Sequence, residues 1–518
     1  MTCRLTCLIL PVLALAGTVS RAAEPAEAPL TLEQAVQRAL AKNYTIQVET
    51  LSRPIARAGL TEAYGKLDPS LQGSYKDTRD EQPDLANALG VRPLADITKE
   101  TTASLSASSG QQPEPLADIT KETTASLALV GTLPWGMTYN VGANTENERY
   151  TSNGFADTYR TFAGVSLTQP LLRDAGFGAT LVNVRLARTN LAMSEWDYRG
   201  AVTDIVTRVI YAYSDLHFAQ AQLRSARRSR DLAAQLHKEN TRRHEVQSMS
   251  EFDVLSASAR VAAREDNVLQ AEYRLVSATN ALKQLISDER TPALLDQPLA
   301  IEPLNHVADA APNPAADFAN ALAQRPDYQI ARLNVRRGDI NRRYALNQAL
   351  PRVDATGSYG YNGIGTTWPD SRRDTRLRDY SAYGAGVTVS VPVTFSAERG
   401  RYRAAKLRHQ QASLELQQLE QTIVVSLGNA AQQVESTRLR VAATREARAR
   451  NESMLEAELK RLRAGTGSTF DVLYQQEQLS YAEINEAAAQ SDHIKALAEY
   501  DRQLGRTLAT HHIELRAD

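Results

Sequence analysis

Apolar residues recur along this chain with two different periods, and the two periods alternate in blocks. From about 178 to 244 there is no proline, and Val202, Ile205, Val209, Ala212 and Leu216 step by 3, 4, 3 and 4 residues. The stretch from about 397 to 463 carries the matching row Leu416, Leu419, Ile423 and Leu427. Such stepping predicts a coiled-coil seam on a very long helix, with abundant Ala allowing close packing. At 1.5 Å per residue, roughly 67 residues make a rod about 100 Å long. Each rod turns back through a shorter partner, at about 250–288 and 468–507. A rod of this length cannot bury its stripe within a compact globule. It needs its partner helix and further subunits.

The second period is two. Val387, Val389, Val391 and Val393 alternate with Thr388, Ser390 and Pro392, and Val165 and Leu167 alternate with Ser166 and Thr168. Small polar residues on one face and branched aliphatics on the other suit a wall between lipid and a wet lumen. A soluble sandwich strand has the same alternation, so the pattern alone does not separate the two. Strands are expected near Leu71–Tyr75, Phe162–Gln169, Val353–Tyr361 and Tyr383–Val393. An added hairpin is expected at Leu127–Leu133 and Met137–Asn144, around Pro134-Trp135-Gly136.

The body is built twice. Asn43-Tyr44-Thr45-Ile46 is matched by Asp327-Tyr328-Gln329-Ile330, and Gly73-Ser74-Tyr75 by Gly357-Ser358-Tyr359, both 284 residues later. Phe252-Asp253-Val254-Leu255 recurs as Phe470-Asp471-Val472-Leu473 at an offset of 218, so the first copy carries 66 extra residues. Two large units mean a duplicated fold and not a solenoid. The first repeat is 24–310, with strands within 68–170 and long helices at about 178–290. The second is 311–518, with strands within 351–395 and long helices at about 397–508. Each opens with a helix, the first starting at Thr31 with Leu32, Val36 and Leu40 at helical spacing, the second spanning about Pro314–Ala349. Pro93–Leu105 and Pro115–Leu127 are identical, a local duplication of the kind that exposed loops absorb. Most of Lys76–Thr120 therefore reads as a loop.

Residues 1–23 read as a signal peptide, with Arg4, the apolar run Leu5–Val19 and small residues around Ala22 and Ala23. Both cysteines, Cys3 and Cys7, lie inside it, so a mature chain in the periplasm folds without disulfides. Beyond this segment no run of about 18 apolar residues predicts a spanning helix. The 59 basic and 60 acidic residues nearly cancel, which gives no support to a nucleic-acid partner.

The helix–helix turns hold the candidate site. Ser250-Glu251-Phe252-Asp253 and Ser468-Thr469-Phe470-Asp471 each place Ser at an N-cap and an acid three positions later, which is capping-box spacing. Gly465 and Gly467 punctuate the second turn.

The order of elements, the duplication, the Leu-Thr-Leu-Glu-Gln-Ala start at Leu30–Ala35 and the Arg-Ala-Gly-Thr-Gly-Ser-Thr-Phe-Asp-Val-Leu turn at Arg463–Leu473 resemble the TolC-type outer membrane efflux protein family. The resemblance implies a mixed α and β membrane fold. A homotrimer would share one outer-membrane β-barrel, in contact with lipid and continued into a periplasmic α-helical coiled-coil tunnel. It implies a periplasmic adaptor and an inner-membrane pump as partners, either for efflux or for type I secretion. Asp471 would contribute to an acidic ring at the tunnel tip, and Asp253 to links that hold it shut; a cap and a gate are compatible. The family's locking Tyr and Arg fall at Leu462 and Gly467, and Tyr474 stands where a second acid can occur, so Arg461 or Arg463 would have to substitute. The family pattern has two strands per repeat, and the added hairpin either enlarges the barrel or lies against its rim.

Enzyme readings find little. No His-Glu-x-x-His motif or phosphate loop is present, and Gly360, Gly363 and Gly365 punctuate a strand and loop. Arg372-Arg373 is flanked by Asp370 and Asp374 in a Pro-containing loop, which weakens it as an anion site. No catalytic residue, cofactor or metal is expected. A passive exit duct and a pore-less coiled-coil scaffold both fit the helices; the alternating strands in both repeats favour the duct.

Overall fold

The computed structural model describes residues 29–83, 117–150, 154–302, 312–464 and 466–515. The expected signal peptide, the first copy of the duplicated run and Gly465 lie outside the described residues.

The first repeat opens with α1 (Leu32–Lys42), α2 (Tyr44–Thr50) and α3 (Ser52–Gly65). Thr31 starts α1 through a capping box: its hydroxyl accepts from Gln34 N and the Gln34 side chain accepts from Thr31 N, both at 3.2 Å. Four strands follow, β1 (Ser70–Pro83), β2 (Ala117–Thr132), β3 (Thr138–Tyr150) and β4 (Thr158–Pro170). Then come the long helix α4 (Val182–Glu245) and its return α5 (Glu251–Ile286). The second repeat contains α6 (Pro314–Gln324), α7 (Pro326–Gln348), β5 (Arg352–Gly365), α8 (Trp368–Leu377), β6 (Ser381–Ser390), α9 (Ser396–Arg463) and α10 (Thr469–Leu504). The single helix expected over Pro314–Ala349 is therefore two. Pro326 disfavours helical backbone at the residue before it, and Arg325 is extended at φ −68°, ψ 123°.

All six strands form one antiparallel sheet in the order β1-β2-β3-β4-β5-β6. The added hairpin, β2–β3, is inserted between β1 and β4 and forms part of the wall. Two expectations are corrected here. Lys76–Pro83 and Ala117–Thr120 are strand rather than loop, and the second copy of the duplicated run supplies most of β2. The strand β6 also ends at Ser390, short of the expected Val393.

Register assigns each side chain to a face. Leu71, Leu129, Val141, Val165, Tyr359 and Tyr383 lie in successive cross-strand pairs or along the same alternating rows, and so share one face. Ser74, Ser126, Asn144, Asn140, Ser166 and Ser358 lie on the other. Farther along, the polar face carries Glu122, Glu146, Glu148 and Arg160, with Arg160 Nη1 3.1 Å from Glu148 Oε2. The apolar face is exposed in the single chain; Tyr383 is 85% accessible.

The hairpin turn docks at the helical end of the sheet. Gly136 N donates to Leu133 O at 2.8 Å, and Gly176 N donates to Trp135 O at 2.9 Å. Gly136 has φ +99°, and a Cβ there would stand 2.6 Å from Asp174 O. Only glycine suits that position.

The two helical hairpins, α4–α5 and α9–α10, run away from the sheet. The predicted stripe is the core of the first: Val202, Ile205, Val206, Val209, Tyr213 and Leu216 are buried against Leu30, Val36 and Ile46. The Tyr213 hydroxyl lies 2.9 Å from Leu30 O and 2.8 Å from Glu302 O, and its one proton serves either carbonyl. In the second rod Ile423, Leu427, Ala430, Ala431 and Val434 are buried. The rods are nearly equal in length, yet α4 buries 18 residues and α9 only 6. Apolar side chains on α9, including Leu407, Leu414, Val424, Val425 and Leu439, stay exposed. No described helix is long and apolar enough to cross a membrane.

Candidate gate at the helix-turn tips

The turns at 246–250 and 464–468 stand at the far ends of the rods, about 95–100 Å along the helices from the sheet. At the first, Ser250 Oγ accepts from Asp253 N at 3.2 Å and Asp253 Oδ2 accepts from Ser250 N at 3.3 Å, a complete capping box. At the second, Ser468 Oγ accepts from Asp471 N at 3.1 Å and donates to Asp471 Oδ2 at 2.9 Å. Both acids are exposed, and each sits at the positive end of its helix. Ser250 and Ser468 are thus the caps; Asp253 completes the box at the first turn, and Asp471 accepts from the Ser468 hydroxyl at the second. Among the described residues no contact joins the two acids. Gly467 lies close under the end of α9, where a Cβ would come within 3.0 Å of Leu462 N.

The aromatic residues of the turns behave differently. Phe252 is 76% accessible and projects from the tip, whereas Phe470 carries the guanidinium of Arg260 of α5 5.8 Å from its ring centroid. Phe470, Tyr474, Arg260, Arg264 and Glu477 line a groove of about 600 Å³ between the two helical hairpins.

Across this groove run contacts that the sequence reading did not find. Arg264 Nη2 meets Glu477 Oε1 at 2.6 Å, Arg228 Nη1 meets Glu483 Oε1 at 2.7 Å, and Ser225 Oγ meets Ser480 Oγ at 2.6 Å. The partners lie 213 to 255 residues apart, and single charges on solvated helix faces carry no signal of their own. The suggested substitute Arg461 is engaged elsewhere, 2.9 Å from Glu458 on its own helix. These ion pairs fasten the α4–α5 hairpin to α10 just above the tips.

A sheet with one apolar and one polar face, open at both edges and joined to rods of this length, defines a subunit of an outer-membrane channel that continues as a helical duct. The profile of the outer membrane efflux proteins matches residues 136–287 and 318–506, one segment in each repeat, and the chain belongs to the outer membrane efflux protein family. It is 27% identical over 361 residues to the outer membrane efflux protein BepC of Brucella suis, spanning 67% of this chain and 72% of that protein. Its fold is similar to that of the CmeC outer membrane channel of Campylobacter jejuni, with a TM-score of 0.66 at 15% identity over 92% of this chain and 86% of the other. It is likewise similar to VceC of Vibrio cholerae, with a TM-score of 0.64 at 15% identity over 92% and 96% of the two chains. The protein is an efflux channel subunit of the outer membrane, in a family of channels rather than enzymes.

Proposed function

We propose that three copies of the chain close their sheets into one barrel and their helices into one periplasmic tunnel. Solute leaves through it passively, driven by an inner-membrane pump reached through a periplasmic adaptor. The observation that carries this reading is the open sheet: among the described residues β1 and β6 are edge strands with no partner. Long free edges beside an exposed apolar face are an aggregation hazard unless closed, and a ring of copies pairing β1 with β6 removes every edge. Three subunits of six strands give eighteen, a size at which barrels enclose an aqueous channel. The sparse burial of α9 supports the same assembly, since its exposed apolar row needs neighbours.

At the tips, three copies of Asp471 around a narrow axis attract cations and repel anions. Asp253 fixes the turn of the first hairpin, and the Arg264–Glu477 pair holds that hairpin against α10. The mass of the detergent-extracted protein, measured by light scattering, tests the assembly. A trimer that dissociates only with loss of the sheet is expected; a stable monomer in mild detergent contradicts the reading.

A further inference from the structure

The helix α8, within the β5–β6 connection, has no part in the duct as described. It lies at the end of the strands opposite the long helices, because β5 leaves directly after α7 and β6 returns into α9. It is clamped to the apolar face of the wall. Ser371 Oγ lies 2.7 Å from Thr161 Oγ1 and 3.2 Å from Gly363 O, its one proton serving either, and both Ser371 and Thr375 are buried. A Cβ on Gly363 would overlap the Ser371 carbonyl and Thr375, so glycine is what lets the helix lie flat. Along β4 the outward row runs Leu167, Val165, Ala163 and then Thr161; along β5 it runs Tyr359, Tyr361 and then Gly363. The helix therefore covers the level at which the apolar band ends.

Its chemistry suits that level. At about 100° per residue, Trp368, Arg372 and Arg376 form a ladder on one flank, and Arg373 tops the exposed face. Asp370 and Asp374 lie roughly 120–160° around the helix from Arg372 and Arg376, so that flank is basic, while Asp370 stands about 60° from Arg373. Asp370 accepts from Thr367 Oγ1, Asp374 Oδ2 accepts from Ile364 N at 3.4 Å, and Asp379 follows the helix end. Arg372 stacks 4.7 Å over Trp368, and Arg378 stacks 5.6 Å over Tyr361. Stacking occupies the face of a guanidinium and leaves its N–H fork free for a phosphate. Among the described residues none of the four arginines makes an ion pair, and all are exposed, as are Trp368, Leu377 and Tyr380. A short helix with one face fixed and a Trp–Arg flank outward is built to lie in a membrane interface.

We propose that α8 docks the outer-leaflet lipid, with Arg372, Arg373 and Arg376 binding the phosphates of a phosphorylated glycolipid headgroup and Trp368 seated among the upper acyl chains. This rests on the barrel reading and its orientation, with the strand ends opposite the helices outside the cell.

The test uses the full-length oligomer in non-ionic detergent, titrated with phosphorylated lipid A and with the same lipid after removal of its phosphates, and followed by Trp368 fluorescence in a W135F/W196F background. The phosphorylated form is expected to bind about tenfold more tightly or better. The triple variant R372Q/R373Q/R376Q is expected to lose that preference, and R372K/R373K/R376K to keep most of it. Equal binding of the two lipids, or an unchanged preference in the Gln variant, overturns the proposal. So does displacement by inorganic phosphate at matched phosphate concentration, which would make this a site for the free anion. Unitary currents from the same preparations keep the two readings apart: a conducting Gln variant without lipid preference supports both. A wild type that binds the lipid but never conducts contradicts only the duct.

Discussion

The guanidinium of Arg264 on α5 meets the carboxylate of Glu477 on α10 at 2.6 Å, joining the helical hairpins of the two repeats about three turns from their tips. Both side chains are partly exposed, so the pair contributes little to global stability, under about 1 kcal/mol. Its effect is local, on whether the hairpins part. Glu477→Gln should lengthen channel openings in single-channel records and leave thermal unfolding nearly unchanged. Identical open times in the variant would take this pair out of the gate.

Gly136 combines a positive φ with a close approach to Asp174 O, where the β2–β3 turn docks beside the entrance to α4. Gly136→Ala should destabilise this corner by about 1–3 kcal/mol. The expected readout is a lower temperature for oligomer dissociation on gels, without loss of helical circular dichroism. A variant as heat-resistant as the parent would show that the turn is not docked as described.

The inserted hairpin can be removed without reversing any strand, because β1 and β4 run antiparallel to each other once β2 and β3 are gone. Joining Pro83 to Thr158 through a short Gly-Ser linker leaves four strands per chain. Barrel diameter grows roughly linearly with strand number, so the trimeric barrel should narrow by about a third in electron-microscopic class averages. The same diameter with and without the hairpin would place it outside the wall.

Glu499 on α10 couples the repeats near the core. Burial pushes its carboxyl up, but hydrogen bonds from Arg502, Gln503 and Tyr211 outweigh this and hold it below the ordinary 4.5. A depressed carboxylate stabilises the fold fully above its unfolded value, and that contribution is lost as pH falls through the lowered value. Melting temperature should therefore fall as the pH drops below about 4.5, and Glu499→Gln should flatten that decline. A variant with the same acid slope would assign the loss to other carboxylates.

Much of this was readable in the chain itself. The 3-4 stepping of Val202 to Leu216 marked the buried seam of α4, and the alternation around Pro134-Trp135-Gly136 marked the extra hairpin, because a fixed helical or pleated period imprints burial on sequence. Lys76–Pro83 was misread because β1 runs on past the apolar band. Both faces are polar there, and no alternation remains. The helix α8 was hidden by Pro369 and mixed charges, and only its contact with Gly363 sorts acids from bases. The Ser250–Asp253 and Ser468–Asp471 pairs were visible as helix starts, since capping is local. Arg264–Glu477 was not, because its partners meet only once two distant hairpins pack.

The most direct test of the account is a single-channel measurement on the detergent-extracted oligomer in a planar bilayer, wild type beside Asp471→Asn. Stable unitary currents that divalent cations block, with weaker block in the variant, are the predicted result. An intact trimer that carries no current would contradict the duct and leave a coiled-coil scaffold in its place; currents with identical block in both proteins would remove Asp471 from the constriction.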